Sequence, residues 1–348
     1  MLAHLERTDL HSTLDLAPAA RSMQPQQISI ICPVHNEAQV LGVLHERVSH
    51  IMNSLDVDWE LILVDDGSSD PSADVIHALC VQDVHVRGIR LSRNFGFQIA
   101  VTAGLDAAQG DAVVLMDADL QDPPEIIPQM VAAWRDGADV AYGVRVSRAG
   151  ETAFKKSTAA AFYQLIHAIT NVNIPVNTGD FRLMDRQVVD ALRQMPERHR
   201  FLRGMVSWVG YRQVGIPYER AARYAGETKF TLAKMIRFAL DAITGFSYFP
   251  LQIASWLGFG MAALSALAIL FVIVLRLSGG DTPLLGQATT LIAVLFLGGI
   301  QLLCMGVIGE YLGRMYDEAK GRPLYLVHER WGQQQPSFLS QTSFSDLH

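Results

Sequence analysis

At 348 residues the chain is long enough for one large domain or two smaller ones, and half of it is hydrophobic. Its mean hydropathy of +0.19 is high for a soluble protein, and its formal net charge of −7 gives no reason to expect a nucleic-acid partner. Three cysteines, Cys32, Cys80 and Cys304, stand far apart with neither metal-ligand nor disulfide spacing, which fits a reducing compartment, and the histidines form no metal motif.

Residues 1–26 are polar and mixed, lack the apolar core of a signal peptide, and are expected to form a flexible tail. From Ile28 onward, short runs rich in Val, Ile and Leu alternate with helical patterns. The runs are ISIICPV (28–34), ELILVDD (60–66), VRGIRLS (86–92), AVVLMDA (112–118) and VAYGV (140–144). Val40 to Leu55 and Asp74 to Cys80 have helical spacing. This alternation predicts an α/β domain with a mostly parallel sheet covered on both faces.

The character changes near the C-terminus. TLAKMIRFALDAITGF (231–246) is amphipathic, with Leu232, Met235, Ile236, Ala239, Leu240 and Ile243 opposite Lys234, Arg237 and Asp241, and reads as an interfacial helix. Residues 251–275 and 284–309 carry no charge and are long enough to cross a bilayer. The alternative, a pair of long core helices, fits poorly because such helices rarely go this far without a charge. The linker RLSGGDTP holds one cation, Arg276, whereas Lys229, Lys234 and Arg237 precede the pair and Arg314, Lys320, Arg322 and Arg330 follow it. The positive-inside rule then predicts a transmembrane hairpin with both flanks cytoplasmic. The expected organisation is a tail (1–26), an α/β domain (27–230), an interfacial region (231–249), the hairpin (250–312) and a cytoplasmic C-terminal segment (313–348).

Ligands of open α/β sheets bind beyond the carboxyl ends of the strands. Three strands end there in polar clusters: CPVHNE, VDDGSSD and MDADLQD. Alternation along an extended chain would aim Asp117, Asp119 and Gln121 at one point. Two carboxylates and an amide oxygen suit a hard cation, Mg²⁺ or Mn²⁺, that also binds phosphates. A lone Asp-x-Asp is often a solvated turn; three such clusters at one edge favour a metal-phosphate site.

PVHNE, VDDGSSD, RNFGFQIAVTAGLDAAQGD and MDADLQDPPE resemble the GT-A (Rossmann-like) glycosyltransferases of family 2, and more narrowly the polyisoprenyl-phosphate glycosyltransferases. That subgroup includes dolichol-phosphate mannose synthase and the bactoprenol glucosyltransferases. The resemblance implies that Pro33, Asn36, Glu37, Asp65 and Asp66 hold the nucleotide, that Asp117 lies near the ribose or the metal's waters, and that Asp119 and Gln121 bind the metal. It matches Arg145 and Lys156 to the acceptor-phosphate site, although a serine used by some relatives is Ala160 here. It matches Arg220, Arg223 and Lys229 to a loop over the donor diphosphate. In NTGDFRLMDR (177–186) it places Asp180 and Arg182 at the sugar, with Asp180 a candidate base. A phosphate monoester is mostly ionised at neutral pH and needs little help from a base, so Asp180 is expected to orient the sugar or a cation.

The resemblance implies inverting transfer of a hexose, first of all glucose from UDP-glucose, to undecaprenyl or a related polyprenyl phosphate at the inner membrane by a homo-oligomer, a tetramer by the same resemblance. GDP-mannose, UDP-N-acetylhexosamine and UDP-galactose are the other donors considered. A processive polysaccharide synthase fits less well, since no Q-x-x-R-W motif is present and two spans form no channel. A non-catalytic membrane scaffold would not require the charged set around Asp119.

Overall fold

A computed structural model describes residues 26–146, 178–220, 247–278 and 287–332. The first unit runs β1 (Gln27–Val34), α1 (Leu41–Met52), β2 (Asp58–Asp65), α2 (Ser72–Gln82), β3 (Val86–Leu91), α3 (Phe97–Ala107) and β4 (Ala112–Leu115). After a single 3₁₀ turn (Pro124–Ile126) come α4 (Ile127–Arg135), β5 (Val140–Arg145), β6 (Thr178–Asp185), α5 (Arg186–Arg193), α6 (Leu202–Trp208) and β7 (Gln213–Tyr218). Two long helices, α7 (Phe249–Leu277) and α8 (Gln287–Ala319), precede a last strand, β8 (Val327–Trp331).

Eight strands form one sheet in the order β7-β5-β6-β4-β1-β2-β3-β8. The half from β3 to β4 is parallel. Beyond it β6 runs antiparallel to both β4 and β5, and β7 is parallel to β5. The five apolar runs are thus strands, but the sheet is mixed. Its central strands are apolar at almost every position because both faces are covered. Ile30 and Leu61 face a core with Leu44, Val48, Met130 and Trp134. Ile31 and Ile62 face another with Val101, Leu105, Val188 and Met205.

α7 and α8 contain spans long and apolar enough to cross a membrane, at Phe249–Ala268 and Ala293–Ala319, and almost none of either is buried. Core helices would be covered, so that alternative fails for these described residues. The Tyr311 hydroxyl of α8 donates to the carbonyl of Ser247, just before α7, at 2.6 Å.

α8 runs on to Ala319, and its last turn docks on the α/β domain. Glu318 accepts from the Arg198 amide at 2.7 Å, and Asp317 lies 3.3 Å from His199. The chain then enters the sheet as β8, antiparallel to β3. This corrects the expected boundary at residue 313, because part of the segment 313–348 belongs to the α/β sheet. The polar VHERW suits a half-exposed edge strand. The tail 1–25, the amphipathic stretch 231–246 and the linker 279–286 lie outside the described residues.

Candidate active site

The ends of β1, β2, β4, β5 and β7 and the start of antiparallel β6 meet at one edge of the sheet. The first part of this edge is built by backbone capping. Asn36, at φ +57°, accepts through Oδ1 from the Ser69 amide at 2.8 Å and the Asp70 amide at 3.3 Å. Asp65 accepts from the Ser68 amide at 2.9 Å, and its other oxygen lies 3.5 Å from Arg90. Asp66 accepts from the Phe95 and Gly96 amides at 2.7 and 2.9 Å. Burial raises its pKa and the charge of Asp65 adds to the rise, while the two amides and His35 oppose it without reversing it. Gly67 has φ +62°, and a Cβ there would meet the Asn94 amide nitrogen at 2.5 Å. The DDG and RNFG motifs are therefore one interlocked structure. Pro33 lies within β1 opposite Val64 of β2, and the Glu37 amide donates to Ser72 at 3.0 Å.

The second part is dense in charge. β4 ends at Leu115, and Leu120 has φ +55°, so residues 117–121 form a turn in which strand alternation does not apply. Asp119 is buried and its Oδ1 accepts from the Gln121 amide at 3.1 Å, while the Gln121 side chain is half-buried. The β4–β6 register pairs Leu115 with Arg182, two residues short of Asp117 on one side and of Asp180 on the other. Burial pushes Asp117 up to about 8, reinforced by the charges of Asp122, Asp180 and Asp119 and opposed by Arg203.

Asp180 is gripped by a residue that sequence reasoning missed. Arg203 on α6 donates Nε to Oδ1 at 2.8 Å and Nη2 to Oδ2 at 2.7 Å. Burial alone would raise the Asp180 pKa, but Arg203, then Arg182 and Arg145, outweigh it and hold the carboxyl below its ordinary value. Arg182 turns back on its own strand, donating to the carbonyls of Asp180 at 3.2 Å and Gly179 at 2.9 Å. Burial lowers its pKa to about 10, with Asp180 opposing and Arg203 adding to the shift. Arg145 and Arg220 stand 4.0 Å from the buried Asp122 carboxylate.

The family model for glycosyl transferase family 2 matches residues 29–193, and that for the GtrB C-terminal hairpin matches 249–315. The uncharacterized glycosyltransferase YkcC of Bacillus subtilis (strain 168) is 47% identical over 88% of this chain and 94% of its own length. The chain belongs to glycosyl transferase family 2. The SfII prophage-derived bactoprenol glucosyl transferase of Shigella flexneri is 41% identical over 86% of this chain and 97% of its own. The prophage bactoprenol glucosyl transferase homolog of Escherichia coli (strain K12) is 40% identical over 86% and 98%. A solved glucosyl-3-phosphoglycerate synthase from Mycobacterium tuberculosis in complex with UDP covers 63% of this chain and 78% of its own at 19% identity and a TM-score of 0.45, too loose a likeness to transfer chemistry.

The α/β domain of this glycosyltransferase thus brings Pro33, Asn36, Glu37, Asp65, Asp66, Asp117, Asp119, Gln121, Arg145, Asp180, Arg182 and Arg220 to one edge. Lys156, Arg223 and Lys229 lie outside the described residues. Among the described residues no three His, Cys, Asp or Glu side chains are grouped to hold a metal by themselves. Yet Asp117 Oδ1 and Asp122 Oδ2 are buried without a hydrogen-bond partner among the described residues. The unpartnered Asp117 oxygen, in a cluster of like charges with Asp119, fits a site for a cation that takes further ligands from phosphate.

Proposed function

We propose that this glycosyltransferase moves a hexose, glucose from UDP-glucose in the first instance, onto the phosphate of undecaprenyl or a related polyprenyl phosphate, with inversion at the anomeric carbon. The observation that carries this reading is the tie between site and hairpin. The last turn of α8 binds Arg198 and His199, and the same stretch of chain continues into the helix whose Arg203 holds Asp180. A hairpin joined to the site suits an acceptor whose tail stays in a bilayer, and the bactoprenol glucosyl transferase relatives support it.

In this reading a phosphate oxygen of the acceptor attacks the anomeric carbon, the bond from that carbon to the donor diphosphate breaks, and the nucleoside diphosphate leaves. Asp119 and Gln121, with Asp117 beside them, would hold Mg²⁺ or Mn²⁺, which would supply positive charge toward the donor diphosphate. Arg220, with Arg223 and Lys229, faces the diphosphate, and Arg145 with Lys156 faces the acceptor phosphate. Asp180, kept ionised by Arg203, accepts hydrogen bonds from sugar hydroxyls and takes no proton. Asn36, Asp65 and Asp66 shape the nucleotide pocket through the loops they cap. The catalytic domain and C-terminus lie in the cytoplasm at the inner membrane, and copies of the chain assemble, as a tetramer in the simplest arrangement.

Purified protein with undecaprenyl phosphate, Mg²⁺ or Mn²⁺ and a panel of UDP-glucose, UDP-galactose, UDP-N-acetylglucosamine and GDP-mannose tests this by mass spectrometry of the lipid. The expected product is the lipid phosphate plus one hexose, from UDP-glucose. Product from another donor replaces the sugar; no lipid product from any donor, or a sugar polymer, overturns the reading.

A further inference from the structure

One carboxylate in the charged half of the site has no part in the reaction as proposed. Asp122 is fully buried, just beyond Gln121. The Tyr218 hydroxyl, at the end of β7, donates a short hydrogen bond to its Oδ1. Arg145 Nε, from the end of β5, donates to that same hydroxyl at 3.2 Å. Arg145 Nη2 and Arg220 Nε each lie 4.0 Å from Asp122 Oδ1, near enough for an ion pair and too far for a hydrogen bond. Asp122 Oδ2 is buried with no hydrogen-bond partner among the described residues.

The surroundings are shaped for this arrangement. A Cβ on Gly143 would approach the Tyr218 ring to 2.7 Å, and one on Gly179 would approach the Arg145 guanidinium to 2.5 Å. Phe181 meets the Tyr218 ring edge-on with centroids 5.8 Å apart. Two guanidiniums drawn to one place repel each other unless an anion lies between them. Asp122 supplies that anion, and its pairs to the arginines are long enough to yield to the shorter charge-assisted bonds a phosphate makes.

We infer that Asp122 and Tyr218 are a positioning pair for phosphate recognition: the carboxylate, fixed by the phenol, holds Arg145 and Arg220 side by side until substrate phosphates take its place. The inference rests on the proposed function, in which these arginines meet the acceptor phosphate and the donor diphosphate. It makes Asp122 the shared anchor of two cations that arrive from different strands.

The test uses the full-length protein and two variants that preserve shape. Asp122→Asn keeps an acceptor for Tyr218 but loses the charge; Tyr218→Phe keeps the ring and loses the hydroxyl. Asp122→Asn should raise both the acceptor KM and the donor KM by about tenfold with kcat changed much less, the scale of one charge-assisted contact at each arginine. Tyr218→Phe should raise the acceptor KM more than the donor KM, because the hydroxyl touches Arg145 and not Arg220. A purely structural role would lower kcat through loss of folded enzyme, with melting temperature falling and both KM values unchanged, and that pattern overturns the inference. So does an Asp122→Asn variant that loses its response to Mn²⁺ while keeping both KM values, since Asp122 would then be a metal ligand.

Calorimetric binding of UDP and of GDP, with Mn²⁺ present, separates this inference from the function it rests on. Wild type that binds a nucleotide but makes no lipid product defeats the acceptor assignment alone. The nucleotide Kd of Asp122→Asn then decides, an increase of about tenfold supporting the pair and an unchanged value overturning it. Wild type that binds neither nucleotide overturns both.

Discussion

The two edges of this sheet use the same residue types to opposite ends. At the edge away from the site three carboxylates, Glu60, Asp185 and Asp83, are engaged by the chain's own groups. Glu60 accepts from Ser29 Oγ at 2.6 Å, the Gln109 amide at 2.9 Å and Arg87 at 2.6 Å. Asp185 takes the Trp134 indole at 2.8 Å and caps α5 through the Gln187 amide at 2.9 Å. Asp83 lies between His45 at 2.8 Å and His85 at 2.7 Å. At the site edge, Asp117 and Asp122 each retain a buried oxygen without a hydrogen-bond partner among the described residues. Burying a carboxylate is costly unless it is paired. One edge meets that cost within the chain, and the other leaves it for a ligand to meet. The comparison therefore predicts that charge removal should damage activity at one edge and stability at the other.

The largest effect is expected at Asp119. Asp119→Asn should lower turnover by about a thousandfold or more by removing the ligand proposed for an ion at the donor diphosphate. Its melting temperature should hold or rise, because Asp119 adds to the repulsion that raises Asp117 and Asp122. Near-normal turnover, or a large drop in melting temperature, would break the contrast at its centre.

Asp180 comes next. Asp180→Asn should lose about a hundredfold in kcat/KM, and its rate relative to wild type should stay flat between about pH 6 and 8, because Arg203 keeps the carboxylate ionised throughout. A base would behave differently: as the acceptor phosphate ionises, with its second pKa near 6, the variant should recover. A ratio that climbs about tenfold or more across that range restores the base and removes Arg203's proposed role. Arg203→Lys should retain more activity than Arg203→Gln, since it keeps the charge and loses only the two-pronged geometry.

These residues differ in how legible they were. Strands β1 to β5 read clearly because burial on both faces makes them continuous apolar runs, and Asp119 and Asp66 stand where those runs stop. β6 is buried throughout yet carries Asp180, Arg182 and Asp185, whose polarity hides the strand. Arg203 lies 23 residues from Asp180 inside what reads as an ordinary short helix, so only the fold brings them together. β8 pairs with β3 across the whole hairpin, a contact no local pattern encodes. The expectation that strand alternation would aim Asp117, Asp119 and Gln121 at one point does not hold, since the chain turns there through Leu120.

At the engaged edge, Glu60→Gln should leave activity per folded molecule unchanged and destabilise the protein by about 2–3 kcal/mol, because it leaves Arg87 without its counter-charge and replaces an acceptor by a donor. Melting temperature and specific activity measured on the same preparation check this. A loss of kcat/KM with unchanged melting temperature would show that the edges are not separate in function.

The smallest effect belongs to Asp83, and its sign with pH makes it informative. Burial would raise its carboxyl, but the His85 amide and the His45 and His85 side chains outweigh that and lower its pKa. A carboxyl whose pKa is lower folded than unfolded stabilises the protein above its unfolded value of about 3.9, and that stabilisation is lost as pH falls through the folded value. Because the group is partly open to solvent, the contribution is about 1 kcal/mol or less. Asp83→Asn should therefore melt slightly below wild type near neutral pH, and the gap should narrow only as pH falls from about 4 through the lower folded value, where the wild-type carboxylate itself becomes neutral. Sugar transfer per folded molecule should match wild type throughout. A gap that fails to narrow below about pH 4 would mean that the Asp83 carboxylate is not held by its two histidines and the His85 amide, and this part of the engaged edge would lose its claim to be complete.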